Sequence, residues 1–289
     1  MNLKTLITRT LSGAVYVALV LCAILINGYV FAAVFGIFCA GTTYEFHKIT
    51  NKHENVNALT WIGVICSLLA FAMMFFIVLI DTHLSTTSFV EIMIPILFGL
   101  YFGCFISIFI IEIFRKTSNP INNIAYFIFG QVYIALPFVL LLIILSEFSV
   151  PIFILAFFVI IWANDVFAYL TGSLLGKHKL CERISPKKTW EGFLGGMIGS
   201  VAIVYCLHKF LPESVFNGFT LNLWQWLGFA LIIAIFGTLG DLFESLIKRT
   251  VGVKDSGKII PGHGGLLDRL DSTLFAAPAV FIYLILTMC

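Results

Sequence analysis

Nine stretches of nearly continuous apolar sequence dominate the chain, falling near 12–26, 28–46, 58–81, 93–113, 122–146, 150–172, 190–209, 223–245 and 271–289. Most approach the ~20 residues that a helix needs to cross a hydrocarbon core. The runs do not alternate, which argues against the strands of a membrane barrel. A soluble core cannot be apolar along nearly its whole length. Lipid requires apolar side chains outside and backbone hydrogen bonds closed within each segment, and a helix meets both conditions. Composition agrees, since 60% of the residues are hydrophobic and only 11% are charged. The expected fold is an all-α polytopic membrane protein, a bundle of about nine transmembrane helices. Where the first two runs meet at Asn27-Gly28, a hairpin is preferred over one broken helix.

The basic residues orient this bundle. Of the 17 Lys and Arg, only Lys209 falls opposite the others when successive spans alternate direction. The positive-inside rule then places the N-terminus and the large polar loops in the cytoplasm. Basic residues precede the first run, but no small-residue cleavage site follows, so that segment reads as retained. The basic residues follow membrane topology, so the net charge of +2 gives no reason to expect nucleic acid. The seven Cys form no C-x-x-C pair and read as reduced packing residues rather than a zinc site or a disulfide framework.

Eighteen of the 32 charged side chains lie within 164–191 and 241–271, so the chemistry is expected there. Residues 1–150 read as an N-terminal scaffold of about five helices. Residues 151–289 read as a catalytic region of about four helices and two cytoplasmic loops, with the site at its cytoplasmic face.

In "GDLFESLIKR" (240–249), helical spacing puts Asp241, Glu244, Ser245 and Lys248 on one stripe. An isolated helix end with an i to i+4 Glu244-Lys248 pair would also explain the pattern. Asp241, however, follows an unbroken apolar run, where a lone carboxylate costs roughly 2.5–3.5 kcal/mol, so a positive group should meet it. In "HGGLLDRLDS" (263–272), Asp268 and Asp271 are three apart. Carboxylates from two helix ends suit a hard cation that keeps waters and is completed by phosphate oxygens. Asp241, Asp268 and Asp271 are the first candidates for it, with Glu244 next.

Between them lie Lys248, Arg249, Lys254, Asp255 and Lys258, then Pro261-Gly262-His263-Gly264-Gly265. Glycines that allow close backbone approach, beside several cations, suit phosphate. His263, with no second His nearby, reads as a hydrogen-bond donor or substrate contact. In "RISPKKTWEG" (183–192), Ser185-Pro186 reads as an N-cap and first turn. The helix expected there would offer an anion site assisted by Lys187, Lys188 and Thr189. Upstream, "NDVFAYLTG" (164–172) places Asn164, Asp165 and Tyr169 near the end of a span, where Asp165 is expected to be buried near a cation or substrate. "GSLLGK" (172–177) lacks the spacing of a P-loop, and no G-x-G-x-x-G opens a helix.

Together, "SLIKRTVGVKDSGKIIPGHGGLLDRLDS" (245–272), "SPKKTWEG" and "NDVFAYLTG" resemble the motifs of the phosphatidate cytidylyltransferase family, also called CDP-diacylglycerol synthases. The resemblance is specific over 164–272, while 1–150 match only as a multi-span region. It implies CTP and phosphatidate as substrates, CDP-diacylglycerol and pyrophosphate as products, and Mg²⁺ or Mn²⁺ as cofactor. It also implies a multi-pass place in the cell membrane and a role in phospholipid biosynthesis. By the same resemblance Asp241, Asp268 and Asp271, with Lys248 and Arg249, are catalytic, and Asp241, Asp268, Asp271 and Glu244 hold metal. Asn164, Asp165, Ser185, Lys187, Lys188, Thr189, Lys254, Asp255, His263, Gly264 and Gly265 are the substrate contacts. The bilayer is the expected partner, and a homodimer is compatible with this reading. A CTP-dependent lipid-alcohol kinase would use the same donor. An ion-coupled transporter would place ionisable groups at mid-membrane in several spans.

Overall fold

The computed structural model describes residues 3–82, 88–147, 151–211, 221–262 and 264–288. Nearly all are helical: α1 (Leu3–Ile26), α2 (Gly28–Thr50), α3 (Thr60–Thr82), α4 (Ser88–Phe114), α5 (Pro120–Gly130), α6 (Leu136–Glu147), α7 (Ile152–Leu175), α8 (Trp190–Phe210), α9 (Leu223–Thr250) and α10 (Leu267–Met288). A π-helical turn at Gln131–Ala135 joins α5 to α6. Among the described residues nine helical segments are long and apolar enough to cross a membrane, matching the nine apolar runs. Asn27 ends α1 and caps α2, its Oδ1 accepting from the Val30 amide at 2.9 Å. Tyr16 and Phe38 stack with centroids 6.1 Å apart, so α1 and α2 are two packed helices.

The chain divides into two compact units, one of residues 1–146 with 250–270 and the other of 147–249 with 271–289. The first has an aromatic core in which Phe31, Phe35, Phe46 and Phe138 are fully buried. Part of its polar interior is satisfied by the π turn. Gln131, on the π turn, donates to the Gly63 carbonyl and to Ser67 Oγ, each at 3.1 Å.

In the second unit α7 and α8 pack through glycine. A Cβ at Gly192 would lie 2.8 Å from the Ala168 carbonyl, and one at Gly196 would lie 2.5 Å from Asn164 Oδ1. Gly192 and Gly196 are four apart on α8, so together they let α7 approach at backbone distance. That approach fixes where Asn164 and Asp165 stand.

The segment 183–192 departs from expectation. Ser185 and Pro186 do not open a helix; β2 (Ser185–Thr189) pairs antiparallel with β1 (Lys179–Cys181). Proline's fixed φ suits an edge strand as well as a first turn, and its missing N–H does no harm there. The N-cap is Thr189, whose Oγ1 accepts from the Gly192 amide at 3.1 Å. Glu191 then ties down the hairpin entry, accepting from the amides of Lys177 at 3.1 Å and His178 at 3.2 Å. The described cysteines are all free thiols.

Candidate active site

The second unit contains a cavity of about 470 Å³ lined by Asn164, Asp165, Lys187, Lys188, Thr189 and Asp241, with apolar walls from Ala168, Leu180 and Phe193. Three elements build it. α7 contributes the Asn164-Asp165 pair, the β1–β2 hairpin contributes the lysines, and α9 contributes Asp241. Lys188 Nζ lies 2.6 Å from Asp241 Oδ2, giving the carboxylate the positive partner that its place at the end of an apolar run demands. Ser245, one turn on, donates to Asp241 Oδ1 at 3.4 Å.

Asp271, half-buried on α10, feels the charges of Asp241, Asp165 and Lys188. A Cβ at Gly240 would lie 2.5 Å from the Asp271 carbonyl, so glycine is what lets α9 come this close to Asp271. Asn164 is 5% exposed, and its Oδ1 is buried without a hydrogen-bond partner. Nearby, Lys248 pairs with the fully buried Glu244 one turn away. Arg249 Nε donates to the Ile184 carbonyl at 3.4 Å, tethering the hairpin to the end of α9.

The first unit carries a different constellation, in the loop before α10. Asp268 Oδ2 accepts from the Ser256 amide and hydroxyl, each at 2.9 Å, and from the Gly265 amide at 2.7 Å. Glu45 of α2, 1% exposed, accepts through Oε2 from the Leu267 amide at 2.9 Å and from Ser256 Oγ at 3.2 Å. Two carboxylates therefore organise one loop around a shared serine. Gly262 (φ 77°) and Gly264 (φ 89°) turn the chain in left-handed backbone.

Comparison with known proteins adds what the geometry alone does not. The sequence signature of the cytidylyltransferase family covers residues 7–287. The chain belongs to this family. Phosphatidate cytidylyltransferases of Staphylococcus aureus and Staphylococcus haemolyticus are each 50% identical over 133 residues, 46% of this chain and 49% of theirs. One from Staphylococcus epidermidis is 47% identical over 135 residues, 47% of this chain and 50% of its own. The chain thus matches about half the length of these relatives.

In this member of the family the expected site residues separate into the two constellations. Asn164, Asp165, Lys187, Lys188, Thr189 and Asp241 share the cavity of the second unit, with Asp271 in electrostatic reach. Asp165 is exposed rather than buried, because α7 presents it to the open cavity. Ser185, Glu244, Lys248 and Arg249 belong to the same unit, outside the cavity lining. Lys254, Asp255, Gly264, Gly265 and Asp268 belong to the first unit. His263 lies outside the described residues. Among the described residues no three His, Cys, Asp or Glu side chains are grouped closely enough to hold a metal ion.

Sequence reasoning missed Glu45. Its signal was present, since a carboxylate inside an apolar span needs a partner. That partner lies 211 positions along the chain at Ser256, beyond the reach of any local pattern.

Proposed function

We propose that the chain is a phosphatidate cytidylyltransferase, joining CTP and phosphatidate to give CDP-diacylglycerol and pyrophosphate. It would act as a multi-pass protein of the cell membrane, with the N-terminus and both polar loops facing the cytoplasm. The observation that carries this reading is the cavity in which Asp241 meets Lys188 beside Asp165 and Asp271. The names of the relatives, matched over about half their length, support the choice of lipid and nucleotide.

Chemically, a phosphate monoester oxygen is already anionic and needs no obligatory general base. It attacks the α-phosphorus of CTP and forms a new P–O bond. The bond from that phosphorus to the bridging oxygen of the β-phosphate breaks, and pyrophosphate leaves with the electron pair. The difficulty is the approach of two polyanions, so fixed cations supply most of the acceleration. Lys187 and Lys188 are placed to meet phosphate oxygens in the cavity, with the ammonium of Lys188 held by Asp241. Asn164 lines the cavity with its Oδ1 packed against Gly196 of α8, so its part is to hold α7 in place beside the site.

Asp165, Asp241 and Asp271 set three carboxylates against Lys187 and Lys188, an excess of negative charge made of hard oxygen donors. That donor set fits Mg²⁺ or Mn²⁺ bound by two carboxylates, chiefly Asp241 and Asp271, with water and phosphate oxygens completing the shell. When bound, the ion supplies neutralisation of the nucleotide's phosphate charge. Within its own unit Asp268 organises the loop before α10, and Glu244 pairs with Lys248 on α9.

The test is a pair of incubations of purified protein with phosphatidate, using CTP labelled at the α- or the γ-phosphorus. Cytidylyl transfer puts the α label in the lipid phase and leaves the γ label in soluble pyrophosphate. A γ label in lipid would identify a kinase and overturn the reading, as would no label in lipid from either nucleotide.

A further inference from the structure

Lys187 and Lys188 reach the cavity of the second unit on β2, a strand of five residues whose partner β1 has three, and the register slips between Lys179 and Cys181. A two-stranded hairpin of this size is marginal by itself in water. Its order must come from what mounts it. At the turn, Arg249 Nε reaches the Ile184 carbonyl at 3.4 Å, beyond the usual range for such a bond. The base is closed by Glu191, the second residue of α8, which does not line the cavity. Its Oε2 accepts from the Lys177 amide at 3.1 Å, both carboxylate oxygens lie 3.2 Å from the His178 amide, and Oε1 lies 2.6 Å from His178 Nδ1. The Trp190 amide donates to the His178 carbonyl at 2.9 Å, so residues 177–191 close into a ring on the first turn of α8.

We infer that Glu191 is a positioning residue: it fixes the start of β1 and, through the β1–β2 pairing, holds Lys188 against Asp241. Thr189, the N-cap of α8, joins β2 directly to the helix, which roots one strand. Glu191 roots the other strand at the same turn. Two roots side by side fix the direction of the hairpin, where a single one would leave it free to swing about residue 189. A carboxylate suits this place because two amides and a ring nitrogen converge on it, and hydrogen bonds to an ionised acceptor are about twice as strong as neutral ones. The inference rests on the proposed cytidylyl transfer only for its consequence on turnover.

Acetylation of the purified full-length protein in micelles, read residue by residue by mass spectrometry, follows Lys188 without turnover. In the wild type Lys188 is held by Asp241 at 2.6 Å, and Lys248 of the same unit is held by Glu244. Glu191→Ala should speed acetylation of Lys188 about tenfold, the scale of one charge-assisted hydrogen bond, and leave Lys248 at its wild-type rate. Glu191→Gln, which keeps one carbonyl oxygen for the two amides, should show a smaller rise, about threefold. An unchanged rate at Lys188 in Glu191→Ala would overturn the assignment. A parallel rise at Lys248 would do the same, since it would mark a general loosening of the unit.

Initial rates of CDP-lipid formation give the second readout. Glu191→Ala should lower the rate about tenfold in the wild-type background and no further in Lys188→Met, because both changes act through one ammonium. Equal losses in the two backgrounds would show Glu191 acting apart from Lys188 and would remove the positioning role. Absence of CDP-lipid from the wild type would overturn the proposed activity alone, with acetylation still deciding whether Glu191 holds Lys188.

Discussion

Replacing Glu45 by alanine should loosen the loop before α10 selectively. Its carboxylate accepts from the Leu267 amide at 2.9 Å and from Ser256 Oγ at 3.2 Å. Ser256 keeps its 2.9 Å bond to Asp268 when Glu45 is removed, so the amide of fully buried Leu267 is the group left without its acceptor. A hydrogen bond to a charged acceptor contributes about 1.5–3 kcal/mol, and orphaning its buried donor puts the loss near the upper end, about 3 kcal/mol. At 1.36 kcal/mol per decade, that is roughly a hundredfold in the local opening equilibrium.

Hydrogen–deuterium exchange of the full-length protein reads this directly. Peptides spanning 254–268 should lose about two decades of protection in Glu45→Ala, while peptides from α8 exchange as in wild type. Glu45→Gln, which retains one carbonyl oxygen for the Leu267 amide, should lose about one decade or less. Wild-type protection over 254–268 in Glu45→Ala would show that Asp268 alone holds the loop, and the role given to Glu45 would be withdrawn.

Lys188→Met should leave the carboxylates of the cavity unbalanced and lower the initial rate of CDP-lipid formation by about 10²–10³-fold, with Lys188→Arg recovering part of it; an unchanged rate would take Lys188 out of the site. Asp241→Asn and Asp271→Asn should each abolish turnover while membrane insertion, followed by fractionation, stays normal. Wild-type activity should vanish in excess chelator and return with Mg²⁺ or Mn²⁺, and full activity in chelator would refute the cation. Gly196→Ala places a Cβ 2.5 Å from Asn164 Oδ1, so α7 and α8 must part; a loss of about 1–3 kcal/mol should appear as a lower unfolding midpoint.

The nine spans were legible because length and continuity of apolar sequence are local properties, and the structure places its helices where the runs fall. Part of the cavity was legible for a related reason. Asp241 at the end of an apolar run required a cation, and Lys188 meets it. The pairing of Glu244 with Lys248 is likewise a one-turn relation that spacing alone can read.

What was not legible depended on choices between equally good local signals. Ser185-Pro186 satisfies both a helix start and an edge strand. The decision was made by Thr189, whose hydroxyl is the acceptor three residues before the Gly192 amide. Asp268 shows the same limit. Spaced three from Asp271, it reads as one member of a helix face, yet it is the second residue of α10, where helix amides and loop amides compete for its oxygen. The loop wins, with three donors on Oδ2, because the turn through Gly264 brings the Gly265 amide back to within 2.7 Å. A carboxylate at a helix start therefore cannot be assigned to metal from spacing alone. The preceding turn decides which of its oxygens the loop engages, here Oδ2, and Asp268→Asn should disturb the loop at Ser256 and Gly265.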